Sequence, residues 1–421
     1  MGGFLLSLPV ASANGERLAL LDSLFTATSA VAVTGLVVVD TGTYFSLFGQ
    51  LVILGLIQIG GLGFMTMTTL LAVLIGKRIS LRERLVIQEA LNNISLSGVV
   101  QLSVRVLQLA AVFEGLGAFF LAWKFVPLYG WATGIYYSIF HSISAFNNAG
   151  FDLMGGFQSL QGFQGSWLIN MVIAALIIIG GLGFTVLLDI GAKRKFSRLS
   201  LHSKLVLIMT GVLLGLGFVA FLILEFTNPN TIGELPWWQK LLVSFFHSVV
   251  PRTAGFSTVD IGELYNPTLF FLVFLMFIGA SPSSTGGGVK TTTIGAMLAA
   301  SLAIVRGYSE VELLERRLPK EIIFRALAIF LMALGLLSVG TMVLAGTEPF
   351  PFLDILFEAT SAFGTVGLST GLTPSLSPVG KVIIMILMFV GRLGPMTAAA
   401  ALAQRMQTPS YKYPEEKIVV G

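Results

Sequence analysis

FEATSAFGTVGLST, Phe357 to Thr370, is the clearest of four related copies of one short element. The others are FTATSAVAVTGLVV from Phe25 to Val38, FHSISAFNNAGFDL from Phe140, and FHSVVPRTAGFST from Phe246. In three copies a glycine stands ten residues after the phenylalanine, at Gly35, Gly150 and Gly367; in the third copy along the chain Gly255 comes one residue sooner. Each reads as a short apolar helix followed by a glycine loop. Four such loops in one chain suggest four loops around a common axis.

Composition places these elements in a bilayer. Hydrophobic residues make up 55% of the chain and charged residues only 11%, with a mean hydropathy of +0.88. A soluble globule of 421 residues needs more polar surface than this. The net charge of +4 and isoelectric point near 9.3 do not point to nucleic acid, because Lys and Arg cluster at segment ends. The absence of cysteine excludes disulfides, thiolate metal sites and cysteine nucleophiles, and leaves the compartment open. The apolar run Met1 to Val10 has no basic leader and does not read as a cleavable signal peptide.

The expected fold is an all-α polytopic membrane protein of four pseudo-symmetric helix, pore-loop, helix units around one central pore. The glycines set the period: 115 residues from Gly35 to Gly150, 105 from Gly150 to Gly255, and 112 from Gly255 to Gly367. A repeat this long is a domain-sized unit and not a solenoid period. Unit one covers 1–76, and its outer helix looks truncated, since Met1 to Val10 is half of the roughly 20 apolar residues a span needs. A connection at 77–98 leads to unit two, 99–195, and unit three, 196–305. A second connection at 306–320 leads to unit four, 321–405, and a tail, 406–421. The pore helices are placed at Ser23 to Val31 with Asp22 as cap, about Thr133 to Phe146, Trp237 to Val250, and Phe352 to Phe363. The inner helices run from about Tyr44 to Ile75, Ser166 to Ile190, Pro267 to Val305 with an interruption, and Gly380 to Ala403.

The inner helices repeat too. GGLGFMT at Gly60 returns as GGLGFTV at Gly180 and, altered, as GRLGPMT at Gly391, lying 25, 30 and 24 residues after their loop glycines. The matching place in unit three, 24 residues after Gly255, is Gly279, which opens GASPSSTGGGVKTTT. The register therefore marks an insertion or unwinding there. For GGLGF alone, close helix packing is the favoured reading.

Basic residues orient the chain. Lys77, Arg78, Arg82 and Arg84 follow the first inner helix, Lys193, Arg194, Lys195, Arg198 and Lys204 the second, and Arg306, Arg316, Arg317, Lys320 and Arg325 the third. The positive-inside rule puts these ends and the C-terminus in the cytoplasm and the glycine loops outside. Ile79 to Leu96 reads as a cytoplasmic surface helix and docking patch.

A dehydrated cation needs several oxygen ligands, and a loop turns successive carbonyls inward only where its backbone leaves ordinary dihedral angles, which glycine allows. Thr365-Val366-Gly367 has the residue order of the core of a potassium-channel filter. The predicted filter, binding potassium by backbone carbonyls only, is Val33, Thr34 and Gly35; Asn147, Asn148, Ala149 and Gly150; Thr253, Ala254 and Gly255; and Thr365, Val366 and Gly367. Each pore helix adds the negative end of its dipole. Single glycines, where potassium channels carry two, predict fewer ordered sites and poorer rejection of sodium.

These loops, with the GGLGF helices, the broken third inner helix and the GRLGP segment, resemble the Trk/Ktr/HKT superfamily of potassium transporters, and among its branches the membrane subunit of bacterial Ktr systems. The likeness runs through essentially the whole chain. It departs in the short first outer helix and in the differently flanked glycines, so the four filter segments are not chemically equal. The resemblance implies channel-like potassium uptake across the plasma membrane, no covalent cofactor, sodium as an activator, and a homodimer on a cytosolic ring of nucleotide-binding regulatory subunits.

A gate is expected on the cytoplasmic side of the filter. The stretch Gly279 to Lys290 is too polar and glycine-rich to face lipid, so at membrane depth it lines a cavity or is buried. Its candidate gate residues are Gly279, Ser281, Ser283, Ser284, Thr285, Gly286, Gly287, Gly288 and Lys290, facing Arg392, which stands where GGLGF has its second glycine. An intramembrane arginine is costly, and Arg392 is expected to bond loop carbonyls and repel cations. Lys290 reads either as a gate charge or as a side chain snorkelling to the cytoplasm. Glu114 and Arg252 each need a partner in the membrane. His141 and His247, at matching places, read as hydrogen-bonded structural residues and not as metal ligands.

Two other function classes compete. Gly367-Leu368-Ser369-Thr370-Gly371 fits the G-x-S-x-G pattern of a serine hydrolase with Ser369 as nucleophile, but Gly255-Phe256-Ser257-Thr258 repeats it as part of a loop. A nucleotide-binding P-loop is disfavoured by Val289 before Lys290, where glycine is required. An alternating-access cation symporter is the nearer rival, but usually shows inverted repeats, whereas these units run in one direction.

Overall fold

The computed structural model describes residues 1–63, 99–308 and 310–394. Three helices there are long and apolar enough to cross a membrane by themselves: α5 (Val99–Tyr129) over its stretch from Ser103, α9 (Leu201–Glu225) and α13 (Lys320–Thr347). On α9, Ile208, Val212, Leu216, Val219 and Ile223 are all exposed. Their three- and four-residue spacing makes one continuous apolar stripe on the outside of the molecule. In water such a stripe is a liability, and against hydrocarbon it is solvated.

Four short helices lie inside this shell: α2 (Leu20–Val31), α6 (Trp131–Phe146), α10 (Trp237–Val249) and α14 (Phe352–Gly364). Each is anchored by its repeated phenylalanine. Phe25, Phe140, Phe246 and Phe357 are completely buried, which is worth about 1.5–3 kcal/mol for each ring. The first helix begins earlier than Asp22 suggested. Asp22 therefore sits within its first turn and not at the cap position, which is Ala19, and its carboxylate pairs with Lys381 at 2.7 Å.

The inner helices are α4 (Leu47–Leu62), α7 (Trp167–Leu182), α11 (Asn266–Phe277) and α15 (Pro378–Leu393), preceded in unit one by the small helices α1 (Gly2–Leu6) and α3 (Thr41–Tyr44). Three of them, α4, α7 and α15, are shorter than expected, and for a single reason. The last glycine of each GGLG or GRLG motif, Gly63, Gly183 and Gly394, adopts φ of 85°, 95° and 89° and ends the helix. No other residue takes that conformation readily. After Gly183 the chain bends by 95° into α8 (Phe184–Lys193). The continuations expected to Ile75 and Ala403, like the surface helix Ile79 to Leu96, lie outside the described residues.

The third inner helix is interrupted between α11 and α12 (Thr291–Val305), as the register requires. Among the described residues, a two-stranded hairpin departs from the helical pattern. Within the 306–320 connection, Glu312–Leu313 (β1) pairs antiparallel with Arg316–Arg317 (β2). Leu314 and Glu315 between them have φ of 50° and 63°, the two positive values that a tight type I′ hairpin turn demands.

The elements close on themselves. Each inner helix packs on the short helix of its own unit in units one, two and four, and on that of the next unit throughout: α4 on α6, α7 on α10, α11 on α14, and α15 back on α2. Buried carboxylates brace the far ends. Glu225 at the end of α9 accepts the Tyr265 amide before α11, and Glu348 after α13 accepts the Ser377 amide before α15.

Candidate functional site

The four glycine loops meet. A Cβ built on Gly35 would strike the carbonyl oxygen of Ala149 beside Gly150, and one on Gly150 that of Ala254 beside Gly255. One on Gly255 would strike the carbonyl oxygen of Val366 beside Gly367, and one on Gly367 that of Thr34 beside Gly35. The contacts run round a closed ring. All four glycines have φ between 67° and 92°, so glycine is required for conformation and for space alike.

A second regularity lies two residues before each glycine. Val33, Asn148, Thr253 and Thr365 have φ of 56°, 57°, 72° and 51°. Left-handed backbone is rare for any side chain and a true outlier for the β-branched Val33, Thr253 and Thr365. Its recurrence at one register gives the four loops a common path. Local bonds hold it: the amides of Thr34, Ala149 and Val366 donate to the carbonyls of Ser29, Ser144 and Ser361 at 2.8 Å. The Ser29 and Ser361 hydroxyls also accept the amides of Gly35 and Gly367, at 3.1 and 3.0 Å. These serines were not singled out from the sequence, although their common place four residues after the phenylalanine was visible in FTATSA, FHSISA and FEATSA.

The inner-helix glycines explain how the loops come so close. Gly60, Gly180 and Gly391 lie against the carbonyls of Val31, Phe146 and Phe363, each four residues before its loop glycine, with no room for a Cβ. Close packing is thus what these GGLGF and GRLGP glycines do.

On one side of the ring lies a cavity of about 520 Å³, lined by the four loop glycines and by Asp152 and Asp260. On the other side lies the interruption of the third inner helix. Gly279 to Val289 is buried or half-buried, and its polar backbone is bonded into three neighbouring segments. The amides of Ser281 and Thr285 donate to Gly181 and Gly180 at 3.0 and 3.3 Å, and Phe184 donates to the Ser283 carbonyl at 2.9 Å. Thr285 Oγ1 donates to Asn148 Oδ1 at 2.9 Å, and the Gly287 amide to Thr365 Oγ1 at 2.9 Å. Gly288 donates to Gly391, 3.2 Å away, and a Cβ on Gly286 would strike Thr253. Side chains of three of the four left-handed residues therefore touch this segment.

The two cations also point into it. Arg392 donates from Nη1 to the Thr285 carbonyl and from Nη2 to the carbonyls of Gly60 and Gly61, tying the segment, unit four and unit one together. Lys290 donates to the Gly286 carbonyl at 2.8 Å, turning back into the segment and not away along its helix. Of the remaining segment residues, Ser281 Oγ meets Thr291 Oγ1 at 2.9 Å, Gly279 packs against Gly287, and Ser284 Oγ has no partner among the described residues.

Glu114 and Arg252 do not pair. Glu114 accepts from Gln58 Nε2 at 3.0 and 3.1 Å and from Asn147 Nδ2 at 3.0 Å. Asn147 Nδ2 also donates to Gln58 Oε1 at 2.8 Å and to the Ile143 carbonyl at 2.9 Å. Arg252 is buried, its carbonyl accepts from Asn148, and its Nε has no partner among the described residues. Ser369 lines the cavity, with its Oγ 3.1 Å from Thr373 Oγ1.

The family model described as TrkH, cation transport protein, matches residues 4–414. The chain is 46% identical over 422 residues to the Ktr system potassium uptake protein B of Bacillus subtilis (strain 168), covering 100% of this chain and 94% of that protein. It is 44% identical over 427 residues to the potassium/sodium uptake protein NtpJ of Enterococcus hirae, with 100% and 94% covered. In fold it is similar to the crystal structure of the potassium transporter TrkH from Vibrio parahaemolyticus, with a TM-score of 0.74 at 17% identity over 95% of this chain and 83% of that one.

Proposed function

The chain belongs to the TrkH family of cation transport proteins, and from that premise we propose that it is a channel-like potassium uptake subunit of the plasma membrane, built of four pseudo-symmetric units around one pore. The observation that carries this reading is the closed ring of four glycine loops, each with a left-handed residue two places before its glycine. That backbone turns carbonyls toward the axis, where they replace the water of a monovalent cation. The ends of α2, α6, α10 and α14 add their dipoles, and Asp152 and Asp260 attract cations to the outer cavity.

The buried segment from Gly279 to Lys290 acts as the gate. Its bonds to Asn148, Thr365 and Arg392 hold it across the inner side of the ring, and the Arg392 and Lys290 charges oppose a cation there. Two relatives are named as potassium uptake and potassium/sodium uptake proteins, which supports potassium as the cargo and a response to sodium. One of them is protein B of a Ktr system, which supports a regulatory partner; that partner is a cytosolic nucleotide-binding ring under a homodimer.

Potassium-dependent growth of a transport-deficient bacterium, with and without the regulatory partner, tests the reading. Serine in place of Gly35, Gly150, Gly255 or Gly367 is expected to weaken potassium affinity or selectivity. Indifference at all four positions contradicts the filter. Deleting Ser281 to Gly287, or Arg392→Ala, is expected to raise flux, and unchanged flux in both removes the gate.

A further inference from the structure

The residue after each buried phenylalanine is polar and completely buried: Thr26, His141, His247 and Glu358. In three of the four helices that side chain reaches the chain leaving the glycine loop. His141 donates Nδ1–H to the Tyr137 carbonyl at 2.7 Å, which fixes the tautomer and leaves Nε2 to accept the Leu153 amide at 3.3 Å. His247 Nε2 accepts the Thr258 amide at 3.4 Å, with its ring stacked on Phe221 at 4.9 Å. Leu153 and Thr258 each lie three residues beyond the loop glycine. Glu358 accepts from the Thr373 hydroxyl, six residues beyond Gly367. Thr26 differs, donating to the Asp22 carbonyl of its own helix at 2.9 Å.

Two kinds of tie thus hold the loops, and units two and four have both. The serine carbonyls hold the approach to the glycine in units one, two and four, while the buried histidines and Glu358 hold the departure in units two, three and four. We propose that His141, His247 and Glu358 are positioning residues that set ion selectivity, by fixing the segments that leave the glycine loops and so the spacing of the ring carbonyls. This rests on the filter reading. None of the three touches the ion; each acts through Leu153, Thr258 or Thr373. Selection among monovalent cations depends on how many carbonyls are presented and how closely they are held, and a loop free at its departing end can spread.

The bond between Glu358 and Thr373 can be cut from either side, which separates positioning from general damage. The full-length chain is expressed in a transport-deficient bacterium, and potassium uptake, its inhibition by sodium and the amount of protein in the membrane are measured. Glu358→Leu and Thr373→Val are each expected to lower the preference for potassium over sodium by about three- to tenfold, and the double variant no further than the stronger single one. Glu358→Gln, whose amide oxygen still accepts the hydroxyl, restores the preference. His247→Leu shifts it in the same direction. Thr26→Ala leaves it unchanged, because that hydroxyl is used within its own helix.

The proposal is overturned by an unchanged preference in Thr373→Val, by additive losses in the double variant, or by an equal shift in Thr26→Ala. If Glu358→Leu fails to reach the membrane, Thr373→Val alone decides. The filter reading fails by a different result, namely serine at all four loop glycines without effect on affinity or preference.

Discussion

Val33, Asn148, Thr253 and Thr365 carry a backbone that costs a non-glycine residue about 1–3 kcal/mol. Glycine would remove that cost, so the side chains must supply something. Asn148 and Thr365 do so by bonding the interrupted segment of the third inner helix, from Thr285 and from the Gly287 amide. Thr365→Val keeps the shape and leaves that amide without its acceptor, a loss of about 1–3 kcal/mol in a buried site. Tracer uptake is therefore expected to rise, with the amount of protein unchanged. Glu114 obeys the same logic in a different place. Glu114→Leu strands the Gln58 Nε2 donor, while Asn147 Nδ2 keeps Gln58 Oε1 and the Ile143 carbonyl, and is expected to destabilise the detergent-solubilised protein by about 1–3 kcal/mol, whereas Glu114→Gln costs clearly less in the same thermal assay.

Among elements, the inner helices decide the architecture. Their GGLG motifs do two jobs that look alike in sequence. The first glycine lets the helix lie on the carbonyl end of a short helix, and the last one ends the helix. The long interruption in unit three thus has a shorter counterpart in unit two, where the chain bends by 95° after Gly183. At Gly183 the two meet, since a Cβ there would strike the Pro282 carbonyl of the segment and φ is 95°. Gly183→Ala is expected to loosen the segment, raising uptake and lowering thermal stability together. Unchanged values of both would separate the break in α7 from the segment.

Over the whole molecule, closure through α15 and α2 joins the last unit to the first, with Lys381 and Asp22 paired at 2.7 Å beside that contact. Arg392 makes a second link between the same units on the segment side, through Gly60 and Gly61. Orientation is testable directly because the chain contains no cysteine. A single cysteine at Thr370, which lines the cavity beside the four loop glycines, is expected to react with a membrane-impermeant maleimide added outside intact cells. One at Gly307, two residues beyond the end of α12, is expected to react only after the cells are opened. The reverse pattern would invert the topology.

The amino-acid sequence by itself determined the membrane class, the four copies of the glycine element, and the place where the third inner helix is interrupted. These are linear properties, carried by apolar content, by spacing and by a register of 24 to 30 residues. It did not reveal that the inner helices stop at Gly63, Gly183 and Gly394, since a glycine in an apolar run serves packing and breaking equally well. Nor did it reveal the partner of Glu114, the carbonyls held by Arg392, or the reach of His141, His247 and Glu358. Each of those depends on which backbone atoms come within hydrogen-bond distance across turns or across scores to hundreds of residues. Only the closing of the ring, which brings Thr34 against Gly367 and Ala149 against Gly35, decides that.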